Sequence, residues 1–160
     1  MNITFLRHAT AQDRELPIED YERVLVDKGY SQINSVANFC KKNSLYPGVI
    51  LSSPYPRALQ TAQKLFDLLP DFPRPDIADW LKLESDPKEA VNKIIEYVGK
   101  TEDLWLVGHE PDFSLIIATL IGAHEESIKI KKASLTRITL SHDNSATIMW
   151  SIPCKMMNKI

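Results

Sequence analysis

Met1-Asn2-Ile3-Thr4-Phe5-Leu6-Arg7-His8-Ala9-Thr10 opens the chain. Ile3, Phe5 and Leu6 form an apolar run with good strand propensity and no turn former, which predicts a short buried strand. The run stops on an Arg-His pair followed by two small residues, Ala9 and Thr10. In open α/β sheets, ligands bind at the carboxyl ends of the strands. A guanidinium and an imidazole delivered there by a rigid strand suit an anion. Alone, an Arg-His step is more often an ordinary surface feature, so its weight depends on the rest of the chain.

Two further apolar runs end in the same way. Val49-Ile50-Leu51 runs into Ser52-Ser53-Pro54, with Arg57 close behind. Leu104-Trp105-Leu106-Val107, apolar on both sides like a central parallel strand, runs into Gly108-His109. Between the runs lie helical patterns. Tyr30, Ile33, Val36, Ala37 and Cys40 recur at helical spacing after Asp27. Residues 57–69 form an amphipathic helix with Ala58, Ala62, Leu65 and Leu69 on one stripe. Asp86-Pro87-Lys88-Glu89 is a helix start, with Asp86 as cap and Pro at the first position. Ala90, Val91, Ile94, Ile95 and Val98 follow, and Gly99 closes the segment. Glu110-Pro111-Asp112 opens a further helix, apolar nearly all round over 113–121.

Residues 12–20 are polar, contain Pro17 and read as a loop; 76–83 read as a short strand or extended segment. Residues 133–140 and 146–152 are strand candidates joined by the turn-like Ser141-His142-Asp143-Asn144, hence a hairpin. The alternation predicts one domain over 1–160. Its class is α/β, a three-layer sandwich with a mostly parallel central sheet and helices on both faces. Right-handed crossovers bring the parallel strand ends to one edge of the sheet. Arg7, His8, Arg57 and His109 are therefore expected to converge.

Composition narrows the field. With 160 residues the chain can bury a real core. A net charge of -2 gives no electrostatic case for nucleic acid or an acidic membrane as partner. Cys40 and Cys154 make no paired metal spacing, and Cys40 falls on an apolar helix face as a reduced core residue. The start carries no basic stretch before an apolar run, and no apolar segment is long enough to span a bilayer, so the expectation is a cytoplasmic protein.

A phosphoryl group in flight spreads charge over three equatorial oxygens, and its transfer is catalysed mainly by positioning and electrostatics. Two guanidinium forks suit those oxygens. A histidine serves as nucleophile if one ring nitrogen is unprotonated while the other is held as N–H, most simply by a backbone carbonyl. His8, rigid at the strand end, is assigned that role. His109 is assigned the role of protonated donor to a phosphate oxygen.

At this point the motifs carry a resemblance. Leu6-Arg7-His8-Ala9 resembles the Arg-His-Gly signature of the histidine phosphatase superfamily, the phosphoglycerate-mutase-like fold. The segment from Ser52 through Arg57 to Ala62 is similar to its second motif, and Leu106-Val107-Gly108-His109-Glu110-Pro111 to its third. Arg23-Val24-Leu25-Val26-Asp27-Lys28-Gly29, Lys131-Lys132-Ala133 and the compact length resemble the SixA-type phosphohistidine phosphatase branch. The resemblance spans nearly the whole chain. It implies a phosphohistidine intermediate on His8; a phosphate clamp of Arg7, Arg57 and His109; and no metal or other cofactor. Ala9 and Val26 stand where Gly and Thr are commoner.

The superfamily often supplies a Glu or Asp to protonate an alkoxide leaving group. Glu84 is the candidate here, whereas Asp86 reads better as the helix cap. A phosphohistidine ring protonated beforehand departs as neutral imidazole, whereas an alkoxide needs its proton in the transition state. A site without a strong acid thus favours P–N over P–O cleavage. Thr10 and Ser53 are further donor candidates near the phosphate, or simple turn caps. His124 and His142 read as surface residues. The expectation is a phosphatase acting on a phosphorylated protein, a histidine phosphotransfer domain of a signalling relay. The competing readings are a small-molecule phosphomonoesterase using Glu84, and a non-catalytic phosphate-binding module.

Overall fold

A computed structural model describes residues 1–160. Six strands form one sheet: β1 (Asn2–Arg7), β2 (Val49–Ser52), β3 (Asp76–Ile77), β4 (Asp103–Gly108), β5 (Leu135–Leu140) and β6 (Ala146–Ile152). Their order is β3-β2-β4-β1-β5-β6. The first four are mutually parallel, whereas β5 runs antiparallel to both β1 and β6. The mostly parallel sheet and the closing hairpin are as expected from the sequence. The 76–83 segment yields only two strand residues before a 3-10 turn at Asp79–Leu81.

The helices are α1 (Asp27–Lys42), α2 (Pro56–Leu68), α3 (Pro87–Ile95), α4 (Asp112–Ile121) and a terminal turn, α5 (Cys154–Met157). Strand residues alternate between two cores. Leu6, Ile50, Trp105, Val107 and Leu135 pack with α1, α2 and Met157 on one face. Ile3, Phe5, Leu51, Leu104, Leu106 and Ile138 pack with α3 and α4 on the other. Strand β4 is buried on both sides because each neighbour in its sequence serves a different core, which places it at the centre of the sheet.

Asp86 caps α3 through its carboxylate, which accepts from Lys88 N at 2.9 Å, with Pro87 next. α3 stops at Ile95, short of Gly99, and the chain continues in turns in which Gly99 adopts φ 79°. Cys40 is a fully buried free thiol whose pKa burial pushes up to about 12, so it is inert packing. His124 and His142 are exposed. No helix is long and apolar enough to cross a membrane.

Candidate active site

Register aligns the strand ends that matter. Arg7 pairs with Gly108, and Ser52 with Val107, so β1, β4 and β2 finish side by side at one edge. The ladder bonds extend one step past the strands: His8 N donates to Gly108 O at 2.9 Å and Ser53 N to Val107 O at 2.9 Å. His8 and Ser53 are therefore fixed by backbone pairing, and His109 follows directly on the paired Gly108, its carbonyl accepting Phe113 N at 2.9 Å. α2 begins four residues past β2, and its first turn carries Arg57, which is 1% exposed.

His8 is buried with its ring oriented by two contacts. Nδ1 lies 2.7 Å from the Ala9 carbonyl, which can only accept, so Nδ1 carries the proton. Nε2 accepts from Arg57 Nε at 3.3 Å and is the unprotonated nitrogen. Burial, offset in part by the Ala9 carbonyl and reinforced by His109, Arg57 and Arg7, pushes the His8 pKa down to about 2. The ring is neutral at any ordinary pH. Ala9 does not adopt a positive φ, so a side chain at this position is tolerated without backbone strain. Its N–H donates to Thr61 Oγ1 at 3.1 Å.

The His109 ring lies 5.2 Å from that of His8, centroid to centroid, and its Nε2 is 2.7 Å from Ser53 Oγ. Ser53, a donor candidate from sequence, is thus the partner of the second histidine. Among protein groups alone His109 is not the protonated donor that the sequence suggested. Burial, together with Arg57 nearby, lowers its pKa to about 3. Burial and the nearby guanidinium groups outweigh the opposing pull of Asp20, and an arriving anion adds to that pull.

Arg7 reaches Ile130 O through a terminal nitrogen at 2.8 Å and bears electrostatically on both histidines. Arg7 Nε and His109 Nδ1 are buried with no protein partner. Such groups are rare in folded proteins, and here both belong to the same cationic cluster.

Arg57 is not a free fork. One terminal nitrogen donates to Asp20 O at 2.6 Å and the other to Asp20 Oδ2 at 2.9 Å. Burial pushes the Asp20 carboxyl upward, but Arg57 and Arg23 outweigh it and hold its pKa below the ordinary value. Arg23 is buried too, donating to Asp20 Oδ1 at 2.9 Å and Gln12 O at 2.7 Å. Sequence reasoning names neither as a site residue: the polar loop that holds Asp20 is expected to border the pocket without Asp20 standing out in it, and Arg23 enters only within a resembling segment.

Two candidates lie outside this cluster. The backbone N and hydroxyl of Thr10 both donate to Gln32 Oε1 of α1 at 2.9 Å, which spends the group on packing the loop against the helix. Glu84 is exposed, at φ 65°, and makes no hydrogen bond to Arg7, His8, Arg57 or His109. Its loop is instead tied to the start of α4, where Asp112 Oδ1 accepts from Ser85 N at 3.1 Å. Glu110 lies nearer Arg7, but its oxygens accept from Ser114 and from Ile130 N, a structural clamp. No group of acidic, histidine or cysteine side chains is arranged to hold a metal ion.

The fold and the paired strand ends define the class: a phosphoglycerate-mutase-like fold of the kind found in the histidine phosphatase superfamily. Its solved structural neighbours include SixA phosphohistidine phosphatases. The protein histidine phosphatase SixA complexed with tungstate matches at TM-score 0.87 and 20% identity, over 97% of this chain and 98% of that one. Phosphoserine phosphatase from Entamoeba histolytica, as a variant bound to phosphoserine, matches at TM-score 0.77 and 16% identity, over 96% and 98%. In sequence, an uncharacterized protein of Picosynechococcus sp. is 28% identical over 170 residues, 96% of this chain and 100% of that protein. No protein-family model matches the chain.

Proposed function

We propose that this protein is a phosphatase that removes the phosphoryl group from a phosphohistidine on a protein, a histidine phosphotransfer domain of a signalling relay in the cytoplasm. The observation that carries the reading is the tautomer of His8: Nδ1–H is committed to Ala9 O, which leaves the Nε2 lone pair facing Arg57 inside a cationic cluster. Nε2 attacks phosphorus, the P–N bond to the substrate breaks, and the substrate ring, protonated beforehand, leaves as neutral imidazole. Water then attacks the phosphoryl group on His8. The His8–P bond breaks, phosphate leaves, and the neutral ring returns. Arg7, Arg57 and His109 stabilise charge on the equatorial oxygens. The unpartnered Arg7 Nε and His109 Nδ1 offer the donors for this. The clamped oxygens of Glu110 and the exposed position of Glu84 support P–N over P–O cleavage, since neither is set to protonate an alkoxide at His8.

The test is a labelled phosphohistidine protein, quenched within milliseconds in denaturing base, where phosphoramidates survive. Label is expected on His8. A parallel panel run without added metal is expected to show hydrolysis of the phosphohistidine protein and little of simple alkyl phosphates. Turnover of the phosphohistidine protein by His8→Ala at the parent rate overturns the proposal.

A further inference from the structure

The contact between Asp20 and Arg57 has an unusual place in the molecule. It closes the outer edge of the buried guanidinium that also touches the His8 nucleophilic nitrogen. The Asp20 carboxylate bridges Arg57 and Arg23, each at 2.9 Å, with Arg14 Nε 3.8 Å away. Its side chain is nevertheless 43% exposed. The preceding residues 13–19 are all exposed. Their hydrogen bonds are local, such as Glu15 N to Asp13 Oδ1 and Ile18 N to Leu16 O. A carboxylate thus stands among buried cations at the end of a segment that is cheap to move.

We propose that Asp20 is a built-in competitor for the phosphoryl site, exchanged for a doubly charged phosphoryl group on binding and making the site reject singly charged anions. The proposal rests on the phosphatase reading above and adds a residue that sets its selectivity. A tethered carboxylate acts at high effective concentration, so a free anion of equal charge gains nothing by replacing it. A dianion gains a second charge against Arg57 and Arg23, with Arg14 beside them, and guanidinium geometry suits phosphate at least as well as carboxylate. The displaced Asp20 keeps water within reach through its exposed side.

The alternative role for Asp20 is to hold Arg57 in place, and the two roles predict opposite signs. Inorganic phosphate binding is measured by calorimetry at pH 8 and fixed ionic strength, with nitrate as the singly charged probe. Asp20→Asn is expected to bind phosphate ~10-fold tighter, the scale of one removed charge contact, and to gain nitrate binding that the parent lacks. Asp20→Glu keeps the charge and is expected to stay within about two-fold of the parent. Asp20→Ser serves if thermal unfolding shows Asp20→Asn to be damaged. Phosphate bound by the parent but equally or more weakly by the neutral variants overturns this proposal alone. No phosphate binding by the parent or any variant overturns it together with the phosphatase reading.

Discussion

Thr61 of α2 holds Ala9: its hydroxyl oxygen accepts the Ala9 N–H at 3.1 Å while its proton goes to Arg57 O at 2.7 Å. One side chain thus fixes the backbone just past β1, whose Ala9 carbonyl orients His8, against the turn that carries Arg57. Thr61, Ala9, Arg57 and His8 are all buried.

Thr61→Val keeps the shape and removes both bonds. It leaves Ala9 N–H buried without a partner, a loss of about 1–3 kcal/mol. Urea unfolding is expected to show a lower midpoint at unchanged slope. Thr61→Ser, which retains the hydroxyl, is expected to recover most of the loss. An unaltered midpoint for Thr61→Val would mean that water or a backbone shift replaces the bond.

Acid should weaken the fold through the two histidines. Their pKa values of about 2 and about 3 lie below the ordinary value of 6.5 because both rings are buried. The unfolded chain therefore takes up these protons first. The stability that neutral rings contribute is complete above about pH 6.5 and is lost as pH falls toward 3. Each histidine adds a slope of about 1.4 kcal/mol per pH unit within that window. Unfolding free energies measured between pH 7 and 5 are expected to fall more steeply for the parent than for a His8→Asn, His109→Asn double variant. Parallel curves would place both pKa values near the ordinary one.

Gly29 lies in the first turn of α1, where a Cβ would clash with the backbone oxygen of Thr10. That oxygen accepts Val26 N at 3.2 Å, so the contact joins the segment after His8 to the start of α1. Backbone cannot yield as a flexible side chain does. Gly29→Ala is expected to destabilise by about 1–3 kcal/mol, despite the better helix propensity of Ala, and to reduce turnover by shifting Thr10. Thermal unfolding with a parallel rate measurement checks both. A more stable variant would show that the two segments part easily.

Glu84→Gln is expected to leave phosphohistidine hydrolysis within about two-fold of the parent in kcat and kcat/KM. The residue is exposed and makes no hydrogen bond to the cluster. A loss of ten-fold or more in kcat, with KM unchanged, would identify Glu84 as a proton donor and favour an alkyl phosphate substrate.

The part of this fold legible in the amino-acid order is local and periodic. Apolar runs at Ile3, Val49 and Leu104 specify strands because both faces of a parallel sheet are covered. Asp86-Pro87 specifies a helix start because a carboxylate and a proline suit the free N–H groups there. Once the strands are parallel, the meeting of Arg7, His8, Arg57 and His109 follows from chain direction. Tertiary structure alone decided which atoms remain free to act. Thr10 and Gln32, Arg57 and Asp20, and Ser53 and His109 find one another across the chain, and no spacing rule encodes such pairs. The charge on His109 was likewise beyond reach, because it depends on how completely the neighbouring elements exclude water from the ring.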